Sequence, residues 1–320
     1  MKINRHESKP TVVALNSRLL ILLFFLSCFL FPHPIHAQTI SLSIYPPILE
    51  AVLKPNQSYT QNYQLKNQGD DITIHASLVP FQPNDQLGHI TLNPTNYQSP
   101  ALNYFTLNQS ALPQSFTLKA GTTKNLSLTI SIPLAASPSD HYLTLLFQSE
   151  AKALITGTGS KTLPSIGSNI LLTIPASNQP QSSLQINQFS SQEPLFDSFD
   201  TIDFTILAHN PSDHYLKTVG QINIFNLFNQ KVATIPLRSD NILKQSTRQL
   251  IANNPWNPLF PFGRYKAIVT LTPVNTTNTI NQTISFWIIP YKLILALTLI
   301  FLVFKAQSFK FISKFLPHHS

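Results

Sequence analysis

Cysteine occurs once in the 320 residues, at Cys28, inside an apolar run near the N-terminus. A chain cut after that run keeps no cysteine at all. Disulfides and thiolate metal centres are then excluded, although export permits disulfides in other proteins. Without such staples each domain must be held by its core, which takes something near 100 residues. Charge is also scarce, at 11% of the chain, and the formal net charge of +8 is unevenly placed. The leader and the C-terminal segment hold most of the excess, and residues 38–291 carry 13 basic and 12 acidic side chains. The high isoelectric point therefore belongs to the ends and gives no reason to expect nucleic-acid binding.

The ends carry the targeting signals. Lys2, Arg5, Lys9 and Arg18 precede an apolar run over 19–31, and Ala37 and Gln38 follow. This order predicts a signal peptide over 1–37, cleaved between Ala37 and Gln38. Phe25, Leu26, Ser27 and Cys28 weakly suggest a lipobox, but the apolar stretch continues past Cys28, which disfavours lipidation. At the other end, residues 286–304 are apolar except for Lys292. Trp287 and Tyr291 sit where an interfacial aromatic belt belongs, Lys292 can snorkel, and Lys305, Lys310 and Lys314 follow. The pattern predicts a single-pass membrane protein with a transmembrane helix over 286–304. Its ectodomain is expected outside, and its basic tail, 305–320, in the cytoplasm. Trp287, Tyr291, Lys292 and Lys305 are expected at the membrane interface.

Between the ends, no segment sustains a helical period. Short alternating runs recur instead, at 39–44, 72–78, 125–132, 202–207, 221–225 and 265–271, separated by Pro, Asn and Gly turns. Strict alternation puts one face of a strand in a core and the other in water. The expected fold class is all-β, two tandem immunoglobulin-like β-sandwiches plus the C-terminal helix. The polar stretch 175–183 holds two prolines, Pro175 and Pro180, and 176–183 is the expected linker between an N-terminal sandwich over 38–175 and a second over 184–285. Few contacts are expected to cross this hinge.

The signatures of catalysis are missing. His75, His89, His141, His209 and His214 fall in no HxxxH or HExxH spacing, and no Gly-x-Ser-x-Gly elbow occurs. The glycines near Lys161 lack the phosphate-loop frame, so a hairpin turn is expected there. Asp197, Asp200 and Asp203 miss the calcium-loop pattern and are expected in a solvated loop. No enzyme activity, cofactor or metal is expected. The aromatic stretch 255–262 offers weak binding candidates in Trp256, Phe260 and Phe262, against a loop folded onto its own sandwich. One hexapeptide, Pro-Ser-Asp-His-Tyr-Leu, occurs at 138–143 and again at 211–216. A paired Asp/His site competes there with two loops entering strands, and the second reading is preferred.

Several segments are similar to bacterial surface sandwiches. They are the Pro-containing opening at 44–50, the strands ending at Asn67 and Asn210, the turn–Gly–strand unit at 116–133, and Gly-Arg-Tyr at 263–265. With the order signal, sandwich, sandwich, helix and basic tail, the chain resembles the WxL-interacting proteins of Gram-positive bacteria. That resemblance implies a membrane-anchored binding or scaffolding protein of the cell envelope. Its partners would be the lipid bilayer, through the helix, and peptidoglycan or a surface protein. A looser resemblance to pilus chaperones is weakened by the membrane anchor; the alternative is a membrane-anchored assembly chaperone acting by β-strand addition, which requires a sheet edge left unpaired.

Overall fold

The computed structural model describes residues 41–95, 99–150, 164–176, 183–259, 261–274 and 276–315. The expected signal cleavage site at Ala37 and Gln38, the turn near Lys161, most of the linker and Phe260 lie outside them.

The chain is predominantly β-sheet, arranged as two immunoglobulin-like sandwiches. The first is built from β1 (Leu42–Tyr45), β2 (Ile48–Val52), β3 (Ser58–Asn67), β4 (Ile72–Pro83), β5 (Ile90–Leu92), β6 (Phe105–Leu107), β7 (Ser110–Ala111), β8 (Gln114–Leu118), β9 (Thr123–Ser131), β10 (Ser139–Glu150) and β11 (Ser165–Ile174). One sheet has the order β1-β3-β9-β6-β7; the other runs β2-β11-β10-β4, with β5 and β8 both on β4. The second sandwich comprises β12 (Gln185–Ser191), β13 (Leu195–Phe196), β14 (Phe204–Asn210), β15 (Leu216–Phe225), β16 (Lys231–Pro236), β17 (Asp240–Ile242), β18 (Ser246–Leu250), β19 (Gly263–Pro273) and β20 (Ile280–Ile288). Its sheets are β12-β14-β18 and β13-β20-β19-β15, with β16 and β17 on β15. In both units an early edge strand pairs in parallel with the last strand: β2 with β11, and β13 with β20.

Period-two burial fills two cores. Tyr63 and Leu65 of β3 meet Leu126, Leu128 and Ile130 of β9 and Leu143, Leu145 and Phe147 of β10 in the first. Ile206, Ile222, Ile224, Ala267, Val269, Leu271 and Phe286 fill the second. Turns follow the residue chemistry. Gly121 holds φ +68° in the reversal between β8 and β9, where Thr122 N donates to Lys119 O (3.2 Å).

The C-terminal apolar run does not form one transmembrane helix, which corrects the expectation over 286–304. Phe286, Trp287 and Ile288 end β20 and bond to β19. Pro290 follows, and helix α1 (Tyr291–Phe315) starts only then. Between Lys292 and Lys305 only twelve uncharged residues remain. They span about 18 Å at 1.5 Å per residue, against a hydrocarbon layer of about 30 Å. Among the described residues no helix is long and apolar enough to cross a membrane. The expected single-pass topology, with an outside ectodomain and a cytoplasmic tail, is corrected on the same finding.

The start of α1 is fastened to the second sandwich by the aspartates expected in a solvated loop. Asp197 is fully buried and accepts from Lys292 N (3.0 Å), a carboxylate placed at a helix N-terminus. Asp200 accepts from Asp197 N (2.8 Å) and from Lys292 Nζ (2.8 Å). That ammonium holds the Asp200 carboxyl below its ordinary 3.8, and Asp200 in turn raises Lys292 above 10.5. A depressed carboxyl contributes fully above its unfolded value and loses its contribution as pH falls through the folded one. A raised ammonium contributes fully below its unfolded value and loses it as pH rises through the folded one. Protection of the Lys292 amide from hydrogen exchange is therefore expected to hold steady between about pH 4 and 10. It should fall at either extreme. A loss of protection centred near pH 7 would show that another group holds the helix.

Candidate functional site

In the first sandwich β11 is covered by strands along the whole of one side and only part of the other. On one side β11 pairs with β10 from Ser165 to Ile174. On the other it pairs with β2 only from Asn169 to Thr173. Asn169 N donates to Pro47 O (3.1 Å) and Leu53 N donates to Thr173 O (3.0 Å), so odd-numbered residues of β11 turn their main chain toward β2. Ser149 N donates to Pro164 O (2.9 Å), so even-numbered ones face β10. The N–H and C=O of Ser165 and Gly167 consequently face a side on which no described strand lies. β1 lies beside this margin in the opposite sheet. Leu42 and Ile44 of β1 and Ile166 of β11 are only partly buried there, packed against the first core. The local sequence explains the gap. Pro46 and Pro47 separate β1 from β2, so the chain changes sheets and leaves β11 uncovered before Asn169.

Next to this edge a cleft of about 360 Å³ lies between the sandwiches. Ile48, Glu50, Asn169 and Leu171 line one wall, and Lys217, Asn241 and Arg248 the other. Lys217 Nζ donates to both oxygens of Glu50 (3.0 Å each), and Asn241 Nδ2 donates to Glu50 Oε1 (2.8 Å). Asp240 pairs with Arg238 (3.2 Å) and Arg248 (3.5 Å). Asn241 Oδ1 and Arg248 Nε are buried without a protein partner. One is an acceptor and the other a donor, the complement of a peptide group. From the first sandwich, the tip of the β4–β5 hairpin reaches the edge of β18, where Gln249 N donates to Gln86 O (2.7 Å). Contacts therefore do cross between the sandwiches, contrary to the hinge expected from the linker.

The residues singled out by sequence are dispersed. Trp256 is not a surface contact. It is buried in the second core, with rings of Tyr265 and Phe286 at 5.2 and 6.1 Å. Phe262 is exposed. Trp287 and Tyr291 flank the start of α1, half-exposed, and Lys305 lies along the helix. The histidines have separate partners. His75 meets Ser115, His89 meets Asp85, His141 meets Ser99 and His209 meets Thr247. Among the described residues no three metal-binding side chains converge. The two Pro-Ser-Asp-His-Tyr-Leu copies do come together, between the sandwiches, and the first lies within β10 from Ser139 onward. Sequence reasoning missed the β11 edge and Glu50. The paired prolines were the available signal for the edge; Glu50 had none.

Fold and site define a two-sandwich protein with an exposed strand edge beside an inter-sandwich cleft. No family model and no curated protein matches the sequence. Among solved structures the chain is similar to a chaperone–tip adhesin complex of CFA/I fimbriae (14% identity, 76% of this chain and 98% of that one, TM-score 0.38). It is also similar to the class 5 fimbrial chaperone CfaA (14%, 76% and 98%, TM-score 0.37) and to the E. coli chaperone DraB (13%, 78% and 98%, TM-score 0.35). Likeness at these scores assigns nothing further to this chain. The expectation of a membrane-anchored protein of the cell envelope is corrected on the helix: among the described residues none is long and apolar enough to cross a membrane.

Proposed function

We propose that the protein is a non-enzymatic assembly chaperone that binds an exported β-rich subunit by adding a strand of that subunit to the open edge of β11. The carrying observation is the outward main chain of Ser165 and Gly167, with Leu42, Ile44 and Ile166 half-covered beside it. An added strand would bond to the two exposed peptide groups and turn alternate apolar side chains onto that margin, so the partner is expected to have period-two hydrophobicity.

Ser165→Pro tests it. Proline there removes one outward N–H and leaves the bonds to β10 in place. The fold is expected to be retained, because proline is tolerated where a strand's N–H faces outward at an edge, while affinity for the subunit falls at least about tenfold. A photo-crosslinker at position 165 in the source cell should trap an exported β-rich subunit, and the same group at Asn125, on the far sheet, should not. Equal crosslinking from both positions, or unchanged affinity in Ser165→Pro, would sink the proposal.

A further inference from the structure

The duplicated hexapeptide takes no part in the open edge, and its two copies are used in opposite ways. In the first copy, strand alternation turns Asp140 and Tyr142 to the outer face of β10. His141 and Leu143 point inward, Leu143 into the first core and His141 onto Ser99 Oγ (3.2 Å). Burial, helped by the nearby Lys244, holds the His141 imidazole below its ordinary range against the opposing pull of Asp140. The second copy is the loop entering β15. Asp213 faces solvent and Leu216 enters the second core. Asn210 steadies the loop by donating to His214 O (2.8 Å) and accepting from Ser212 N (3.0 Å). His214 Nδ1 and Tyr215 N are left directed at the first sandwich.

The two halves meet on one carboxylate. Asp140, 1% exposed, accepts from His214 Nδ1 (2.8 Å) and Tyr215 N (2.6 Å) across the interface. It also accepts from Tyr142 OH (3.0 Å) and Thr173 Oγ1 (2.8 Å) on its own side. Tyr142 OH accepts from Lys244 N of the second sandwich (3.0 Å). Around them Phe81, Tyr142 and Leu171 form a third apolar cluster with Ile90, Tyr215 and Leu243. Burial, with the Glu50 and Asp140 carboxylates nearby, pushes the Tyr215 phenol up to about 12.

We infer that the two copies are the halves of one lock that fixes the angle between the sandwiches, the first supplying the buried acceptor Asp140 and the second the donors His214 and Tyr215. A buried carboxylate needs its full set of donors. If the second sandwich swings away, Asp140 loses half of them and must be rehydrated, so the interface is either closed and dry or open and wet. Intermediate angles are disfavoured. The lock also bears on the cleft, since Thr173 lies on β11 and Lys217 follows Tyr215 by two residues.

The opposite use of identical residues gives the test. Spin labels at Asn125→Cys and Thr283→Cys, both exposed, are placed in the full chain carrying Cys28→Ser, and the distance between them is measured by pulsed electron resonance. One narrow distribution is expected. Asp140→Asn and His214→Ala should each broaden it at least about twofold by releasing a two-state contact. Asp213→Asn, the same residue in the other copy, should leave it unchanged. Unchanged width in His214→Ala, or equal broadening in Asp213→Asn, overturns the lock. If Asp140→Asn fails to fold, His214→Ala decides alone, because its side chain lies outside both cores.

Discussion

Phe286→Ala is expected to lower the melting temperature of the second sandwich by roughly 15–30 °C, on a loss of about 3–5 kcal/mol. Phe286 is completely buried. Its ring meets Phe196 at 5.8 Å, Phe204 at 5.9 Å, Trp256 at 6.1 Å and Tyr265 at 6.0 Å. Four aromatic neighbours from four segments cannot all close on an alanine, so a cavity remains and the edge-to-face contacts are lost. The loss is a large share of the ~5–15 kcal/mol that holds a domain of this size. Trp287→Ala is the control. Trp287 is next in sequence and 49% exposed, and its main-chain pairing with Leu195 and Arg264 survives the change, so its loss should stay within about 1 kcal/mol. Calorimetry of the two variants separates a core strand from an apolar run outside the sandwich. Equal small losses would return Phe286 to that run.

Asn210→Ala is expected to cost about 3–5 kcal/mol, the second-largest effect of a single change. Asn210 is fully buried at the end of β14. Its Nδ2 donates to the carbonyls of His214 (2.8 Å), Ile242 (3.0 Å) and Leu243 (3.1 Å). Its Oδ1 accepts from Ser212 N (3.0 Å) and from the Ser212 hydroxyl. Alanine removes all of these bonds at once; His214 O keeps the Ser212 hydroxyl (2.9 Å) and Leu243 O the Ser246 hydroxyl (2.8 Å), so the loss falls chiefly on Ile242 O and Ser212 N. Asn67 ends β3 in the same manner, donating to Asp70 O (2.6 Å) and Leu118 O (3.2 Å). With fewer bonds at stake, Asn67→Ala should cost less than Asn210→Ala in chemical unfolding. The opposite ranking would mean that water reaches the second turn and satisfies its carbonyls.

The two asparagines were visible in the sequence as the residues closing alternating runs before a turn. Trp256 was visible too, as one of three aromatics in a proline-rich stretch, but its surroundings were not. Whether a large ring is a contact or a core residue depends on what packs over it. Here that is Tyr265 and Phe286, which join it only through the pairing of β19 with β20. The aspartates at 197 and 200 follow the same rule. They look like a solvated loop until Lys292, more than ninety residues later, brings a main-chain N–H and an ammonium to them.

By itself the sequence determined the strands, their inward faces and several turns, because each depends on neighbours within a few residues. Alternation at 125–132 and 265–271 fixes which side of β9 and β19 meets a core, and Gly121 and Asn210 fix how the chain leaves a strand. Only the tertiary structure decided which strand lies beside which, and so where an edge is left open. The gap beside Ser165 and Gly167 exists because the neighbouring strand, β2, begins only after Pro47, opposite Asn169. The apolar run at 286–304 was divided between β20 and α1 because β19 and a ring of distant aromatics claim its first residues. The meeting of Asp140 with His214 spans 74 residues, a separation over which charge and hydrogen bonding leave no periodic trace in a chain until folding brings the partners within reach.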